Sequence, residues 1–101
     1  MAKQIEWSNE GIETFKDHIS YIEKDSLLNA DRFVDRVYEM LELISEHPFM
    51  GRITFELQDE MIREVFVYTT FRIIYEVFEE KIDILAVRRT AQAPNFKKDD
   101  N

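Results

Sequence analysis

Residues 61–89 read MIREVFVYTTFRIIYEVFEEKIDILAVRR, and this stretch decides the fold. It contains three apolar runs rich in β-branched and aromatic residues, at 62–67, 71–78 and 82–87, separated by two short polar breaks. Runs of this length and composition are typical of β-strands. Because no crossover helix fits into such short breaks, the three strands must be consecutive and antiparallel.

The middle run carries apolar side chains at both odd and even positions, so both of its faces must be covered. A strand of this kind belongs in the middle of a sheet that is covered, at least in part, on both sides. The apolar residues of this run are Phe71, Ile73, Ile74, Tyr75, Val77 and Phe78.

A short strand and a helix are predicted before the meander. Residues 4–7 alternate in polarity and predict the first strand. Ser8 or Asn9 is a candidate N-cap for a helix that runs to about Lys24. Its apolar stripe recurs at spacings of three and four residues, at Ile12, Phe15, Ile19 and Ile22.

A second, longer helix follows the pair Asp25-Ser26, either of which can cap it. Apolar residues repeat at three and four positions until about Glu46, and Pro48 stops the helix. Residues 53–57 predict a partial strand before the meander begins.

The predicted fold class is α+β, in the order β-α-α-β-β-β. An antiparallel helical hairpin packs on a mainly antiparallel four-stranded sheet, because the sheet is the only cover available for the apolar faces of the helices. The length indicates one domain, over residues 1–98, followed by a disordered tail at 99–101.

Composition excludes several kinds of chemistry. The chain has no cysteine, which rules out thiolate zinc sites, iron–sulfur clusters and thiol catalysis, and which fits a cytoplasmic protein. No apolar run approaches the roughly 20 residues that span a bilayer, so we expect no membrane partner. Neither His18 nor His47 has metal-site spacing, so we expect no metal and no cofactor.

The net charge of −8 is unevenly distributed. Residues 1–60 hold 14 acidic and 6 basic side chains, whereas residues 61–101 hold 7 of each. Binding to nucleic acid requires basic side chains that neutralise phosphates, so the acidity argues against direct nucleic-acid binding. An anionic partner would have to meet the second half of the chain.

Four arginines in and after the meander are the candidate functional residues. Two or three guanidinium groups on one sheet face would form a site for phosphate or carboxylate. In the alternative interpretation they pair across strands with Glu64, Glu76 and Asp83, and spacing alone leaves both interpretations open. The arginines are Arg63, Arg72, Arg88 and Arg89.

These motifs, in this order, resemble the RelE/ParE superfamily of toxins from bacterial type II toxin–antitoxin modules, and ParE-like plasmid stabilisation proteins most of all. The resemblance extends from about Ile5 to Phe96 and rests on several short segments together with the element order. The segments are Ala30-x-x-Phe33-Val34, Pro48-x-x-Gly51-Arg52, Ile62-Arg63-Glu64, Phe71-Arg72-Ile73-Ile74-Tyr75 and Ile82-x-Ile84-Leu85-x-Val87.

The resemblance implies a small toxin that is held inactive by a cognate antitoxin. RelE-like members cut messenger RNA on the ribosome, with basic residues on the sheet and a C-terminal tyrosine. Here Arg63 and Arg72 match basic positions, but Val65 stands where a lysine is expected and no tyrosine follows Arg89. An RNase would use Arg63, Arg72, Arg88 and Arg89.

ParE-like members inhibit DNA gyrase by binding, and the short tail after the last strand matches this type. The resemblance then implies that the target faces Arg88, Arg89, Lys97 and Lys98. We therefore expect a gyrase inhibitor with no enzymatic activity. A RelE-like endoribonuclease and a family member without toxicity are the alternatives.

Overall fold

The computed structural model describes residues 2–90, and the element order is the expected one. The tail at 99–101, Lys97 and Lys98 lie outside the described residues. The elements are β1 (Gln4–Trp7), α1 (Asn9–Glu23), α2 (Leu27–Glu46), β2 (Arg52–Ile53), β3 (Ile62–Val67), β4 (Phe71–Val77) and β5 (Lys81–Arg89).

The sheet has the spatial order β1-β5-β4-β3-β2 and therefore five strands, where the sequence predicted four. The additional strand is β2 at Arg52–Ile53, which lies close to the partial strand expected at 53–57. It pairs antiparallel with β3, and β3, β4 and β5 form the predicted antiparallel meander. β1 pairs parallel with β5, which is possible because the whole helical hairpin connects β1 to the rest of the sheet.

β4 occupies the middle of the sheet, as its apolar side chains on both faces predicted. Ile73 and Tyr75 on the face toward the helices are fully buried. Ile74 on the opposite face is also fully buried, so that face is covered as well. The core therefore extends to both sides of β4.

Serine side chains begin both helices. Ser8 Oγ accepts a hydrogen bond from the Gly11 N–H at 2.9 Å and donates to the Ile84 carbonyl at 2.9 Å. Ser26 Oγ accepts from the Asn29 N–H at 3.0 Å. These caps satisfy N–H groups that have no partner within their helices, and Ser8 also ties α1 to β5.

The first turn of α1 lies directly against β5 because residue 11 is glycine. A Cβ atom at Gly11 would overlap the backbone carbonyl of Ile84. Glycine is a poor helix residue, so its presence here reflects this close approach and not helix propensity.

α1 also protects the part of β5 that β1 does not reach. β1 pairs only with residues 81–84, which leaves the edge of β5 open at Val87. The Val87 N–H donates to Thr14 Oγ1 at 2.9 Å, and the Val87 carbonyl lies 2.9 Å from His18 Nε2. Side chains of α1 thus satisfy backbone groups that an additional strand would otherwise bond.

Aromatic side chains connect the hairpin to the sheet. Phe15 of α1 stacks on Trp7 of β1 at 5.0 Å between ring centroids, and it contacts Phe33 of α2 at 5.9 Å. Phe33 in turn packs on Phe71 of β4 at 4.7 Å. Neither helix is long and apolar enough, over the residues described, to cross a membrane.

Candidate functional site

The register of the sheet separates the four arginines into two pairs on opposite faces. Arg72 of β4 stands directly opposite Arg88 of β5. Arg63 stands opposite Tyr75, and Arg89 stands opposite Phe71. Because residues directly opposite in antiparallel strands share a face, Arg63 and Arg89 lie on the side of the helices, and Arg72 and Arg88 lie on the other side.

Arg72 is neutralised by a carboxylate inside the protein. Its Nη1 donates to Glu64 Oε1 at 2.8 Å, and both residues are almost fully buried. The second oxygen of Glu64 accepts from Arg52 Nε at 2.6 Å, and the Glu56 carboxylate lies 3.9 Å from Arg72 Nη1. Glu64 therefore bridges two guanidinium groups, and the buried charge of Arg72 is compensated.

Arg88 is also paired, although with a residue from the other end of the chain. Its Nη2 forms an ion pair with Glu10 in the first turn of α1. A carboxylate at this position also favours the N-terminus of the helix. The two arginines on this face thus each have a carboxylate partner of their own.

Arg63 and Arg89 are engaged in structural contacts on the helical side. Arg63 Nε donates to the Glu60 carbonyl at 2.8 Å and Nη1 donates to the Gly51 carbonyl at 3.1 Å. The Arg63 guanidinium also lies 4.9 Å from the ring centroid of Phe49. Arg89 lies 4.9 Å from the ring centroid of Tyr21 in α1, a cation–π geometry.

The structure therefore favours the pairing interpretation over a shared anion site. Glu64 is one of the carboxylates expected as a partner, whereas Asp83 lies 3.6 Å from Lys81 Nζ. Sequence reasoning missed Glu10 and Glu56, because no local pattern brings a helix N-terminus or a loop against the sheet arginines.

Two residues that could transfer protons, Tyr75 and His18, are also held by hydrogen bonds to backbone groups. Tyr75 Oη donates to the Pro48 carbonyl at 2.7 Å and accepts from the Gly51 N–H at 3.1 Å, and burial raises the pKa of its phenol. Burial lowers the pKa of His18 and so favours the neutral imidazole, whose Nε2 donates to the Val87 carbonyl at 2.9 Å. His18 is thus partly buried between α1 and β5. No group of His, Cys, Asp or Glu within residues 2–90 could hold a metal ion.

The chain is similar to known toxins in sequence pattern and in structure. The family model described as ParE toxin of type II toxin–antitoxin system, parDE, matches residues 5–94. No curated protein sequence matches the chain.

Three solved structures share the fold at low sequence identity. The chromosomal ParDE TA system from P. aeruginosa is 15% identical, with a TM-score of 0.70 over 87% of this chain and 96% of that chain. The YoeB dimer from Staphylococcus aureus is 16% identical, with a TM-score of 0.63 over 87% and 97%. The E. coli DinJ-YafQ toxin-antitoxin complex is 12% identical, with a TM-score of 0.65 over 90% and 96%.

The solved structures show a shared fold, and the family model covers almost the whole chain. A family of this kind implies a cognate antitoxin as the partner. The chain belongs to the ParE toxin family of type II toxin–antitoxin systems.

Proposed function

We propose that this protein is an inhibitory toxin that acts by binding DNA gyrase in the cytoplasm and that a cognate antitoxin neutralises it. Membership of the ParE family supports the toxin assignment. The observation that carries the choice of mechanism is the buried ion pair between Arg72 and Glu64. This pair removes the central cation that an RNA-cleaving site would need.

Cleavage of RNA requires positive charge that stabilises the scissile phosphate, together with an acid and a base. A phosphate that approached Arg72 would have to displace Glu64, whose side chain is only 1% exposed. Breaking such a buried pair costs about 3–5 kcal/mol, which a transient RNA contact would have to overcome. Tyr75 Oη and His18 Nε2 are both held in hydrogen bonds to backbone groups, so neither atom is free to exchange a proton with RNA.

We place the surface that meets gyrase at the end of β5 and the segment that follows it. Arg88 and Arg89 close this strand and are partly exposed, with Lys97 and Lys98 further along the chain. Residues 61–101 hold 7 acidic and 7 basic side chains, whereas residues 1–60 hold 14 acidic and 6 basic, so the second half of the chain repels an acidic partner less.

Induced expression in a bacterial host tests this proposal. The protein is produced with and without the product of the adjacent small reading frame, and growth, cell shape and transcript integrity are followed. We expect filamentous cells with intact transcripts, and we expect co-expression of the neighbour to restore growth. Rapid arrest of translation with cut messages would overturn the gyrase assignment, and healthy growth would identify a family member without toxicity in that host.

A paired variant sharpens the distinction between binding and catalysis. Replacement of both Arg72→Met and Glu64→Leu removes the guanidinium together with its buried counter-ion and leaves only the more exposed Glu56 and Arg52 without this partner, so we expect the fold to be retained. An inhibitor that acts through the end of β5 keeps its toxicity in this variant. An RNase that depends on Arg72 loses it. Replacement of both Lys97→Ala and Lys98→Ala should instead reduce toxicity.

A further inference from the structure

A groove of about 920 Å³ runs between β1 and the C-terminal half of α2, on the side of the sheet remote from β2. Ile5 and Trp7 line it from the strand. Tyr38 and Leu41 line it from the helix, and the side chain of Tyr38 is half exposed. The groove thus combines an apolar floor with the outermost strand of the sheet.

The backbone of β1 presents hydrogen-bonding groups to this groove. The Gln4 N–H donates to the Glu80 carbonyl and the Ser8 N–H donates to the Ile84 carbonyl, both on β5. In a parallel pair, alternate residues face the partner strand, so the N–H and C=O groups of Ile5 and Trp7 point away from β5. Within residues 2–90 these outward groups have no protein partner.

α2 forms hydrogen bonds with the chain just before β1, at Lys3. The Lys3 N–H donates to the Ser45 carbonyl at 3.0 Å, and Ser45 Oγ donates to the Lys3 carbonyl at 2.5 Å. From Ile5 onward, no residue of the described part of the chain bonds to the outer edge of β1.

The rim of the groove is acidic. Glu39, Glu42 and Glu46 line it from α2, with Arg36 as the one basic side chain among its lining residues. Arg36 already pairs with Glu39 at 3.0 Å. Glu42 and Glu46, one helical turn apart and exposed, therefore leave the rim with a net negative charge that a basic segment would complement.

The dimensions suit a short strand. The helix wall from Arg36 to Glu46 rises about 15 Å, at 1.5 Å per residue. An extended chain advances about 3.3 Å per residue, so roughly four or five residues fit along this wall. Addition of a strand to an exposed sheet edge is an established way to bind an extended peptide.

We infer that a basic, apolar segment of the antitoxin binds in this groove as a sixth strand, paired with β1 through Ile5 and Trp7. Its apolar side chains pack on Tyr38 and Leu41, and its Lys or Arg residues meet Glu42 and Glu46. The identity of the partner rests on the proposed function. The position and the charge of the segment rest on the groove itself.

The test uses the whole protein and the synthetic peptide KVKVKVK, with EVEVEVE as its acidic counterpart. Hydrogen exchange of individual amides is followed by NMR. We expect the basic peptide to slow exchange at Ile5 and Trp7 by about tenfold or more, because new ladder hydrogen bonds protect these amides. The Glu6 amide, which faces β5 in both states, is the internal reference. Unchanged exchange at Ile5 and Trp7 with saturating basic peptide would overturn the inference.

Charge reversal on α2 provides a matched pair of variants. Replacement of both Glu42→Lys and Glu46→Lys should weaken binding of the basic peptide about tenfold at low salt. Replacement of both Asp31→Lys and Asp35→Lys changes the same charge at the same spacing on the same helix, outside the groove, and should change binding less than about twofold. Equal losses in both variants, or equal binding of the acidic peptide, would contradict a specific basic segment.

Two further outcomes remain distinct from these. Protection of Ile5 and Trp7 that rises with protein concentration in the absence of peptide would identify a second copy of this chain as the occupant, and would overturn the inference. The antitoxin could relieve toxicity while the amides of Ile5 and Trp7 stay unprotected in the complex. This result would overturn the inference, because the antitoxin would bind elsewhere, and it would leave the proposed function intact. A protein that is not toxic when expressed alone would instead contradict the proposed function and not the groove.

Discussion

Arg72 of β4 and Glu64 of β3 form an ion pair inside the protein, with 2.8 Å between Nη1 and Oε1 and side chains that are 6% and 1% exposed. A guanidinium held in this way is a structural element and not a free anion-binding group. Glu64 also reaches the exposed Arg52, so the pair connects β4, β3 and β2. The absence of a free cation at Arg72 is the basis of the functional assignment.

Replacement of Glu64→Gln should destabilise the protein by about 3–5 kcal/mol, because it leaves the buried guanidinium of Arg72 without its anion. Urea denaturation followed by circular dichroism measures the free energy of unfolding. The control Glu42→Gln removes an exposed carboxylate and should change stability by less than about 0.5 kcal/mol. The double variant Glu64→Leu with Arg72→Met should come close to wild-type stability, and a loss as large as that of Glu64→Gln would contradict the explanation.

Replacement of Gly11→Ala should destabilise the protein by about 1–3 kcal/mol, because the new methyl group meets the Ile84 carbonyl. Helix propensity alone predicts the opposite sign, a gain of about 0.5–1 kcal/mol. Thermal unfolding therefore separates the two effects by sign. Ser20→Ala, at an exposed position of the same helix, is the control, and a stabilised Gly11→Ala variant would show that α1 does not approach β5 closely.

Replacement of Tyr75→Phe should cost about 1–3 kcal/mol, because the Gly51 N–H and the Pro48 carbonyl both lose their partner at the buried hydroxyl. These bonds attach the turn after α2 to the middle strand. Denaturant unfolding is the measurement, with Tyr38→Phe at a half-exposed position as the control. Equal stabilities of the two variants would show that the hydroxyl of Tyr75 does not hold this turn.

Stability should fall as the pH decreases from 7 to 5.5, in part because of His18. Burial, as the largest cause, lowers the pKa of His18 in the folded state below 6.5, so the unfolded chain binds a proton more readily in this range. The nearby cations Arg88 and Arg89 act in the same direction, whereas Asp17 and the hydrogen bond to Val87 oppose it.

The variant His18→Gln keeps an amide donor for Val87 but cannot be protonated, so its stability should depend less on pH over this interval. Chemical denaturation at several pH values measures the difference between the two proteins. A variant whose stability falls as steeply as that of the wild type would assign the pH dependence to other groups.

The helices and strands were predictable from the spacing of apolar residues in the sequence. The pairing of residues far apart in the sequence was not. Apolar runs gave the meander, and β4 ends at Val77, one residue before the run ends at Phe78. The register between strands decided the site, because it placed Arg72 opposite Arg88 and Arg63 on the other face. Local periodicity contains no information about that register.

The partner of Arg88 illustrates the same limit. Glu10 forms the ion pair with Arg88 although the two residues are 78 positions apart in the sequence. In the sequence, Glu10 could be recognised only as an acidic residue in the first turn of a helix. The parallel pairing of β1 with β5 brings that turn to the end of β5. By contrast, Glu64 was predictable as a partner, because it lies in the neighbouring strand of the meander.

The most direct test of the central claim is a supercoiling assay with purified DNA gyrase and purified protein, run beside a ribosome-bound messenger RNA cleavage assay. We expect the protein to inhibit supercoiling in proportion to its concentration and to leave the message intact, and we expect the double variant Glu64→Leu with Arg72→Met to behave in the same way. A cut message with unimpaired supercoiling, together with loss of cleavage in the double variant, would contradict it.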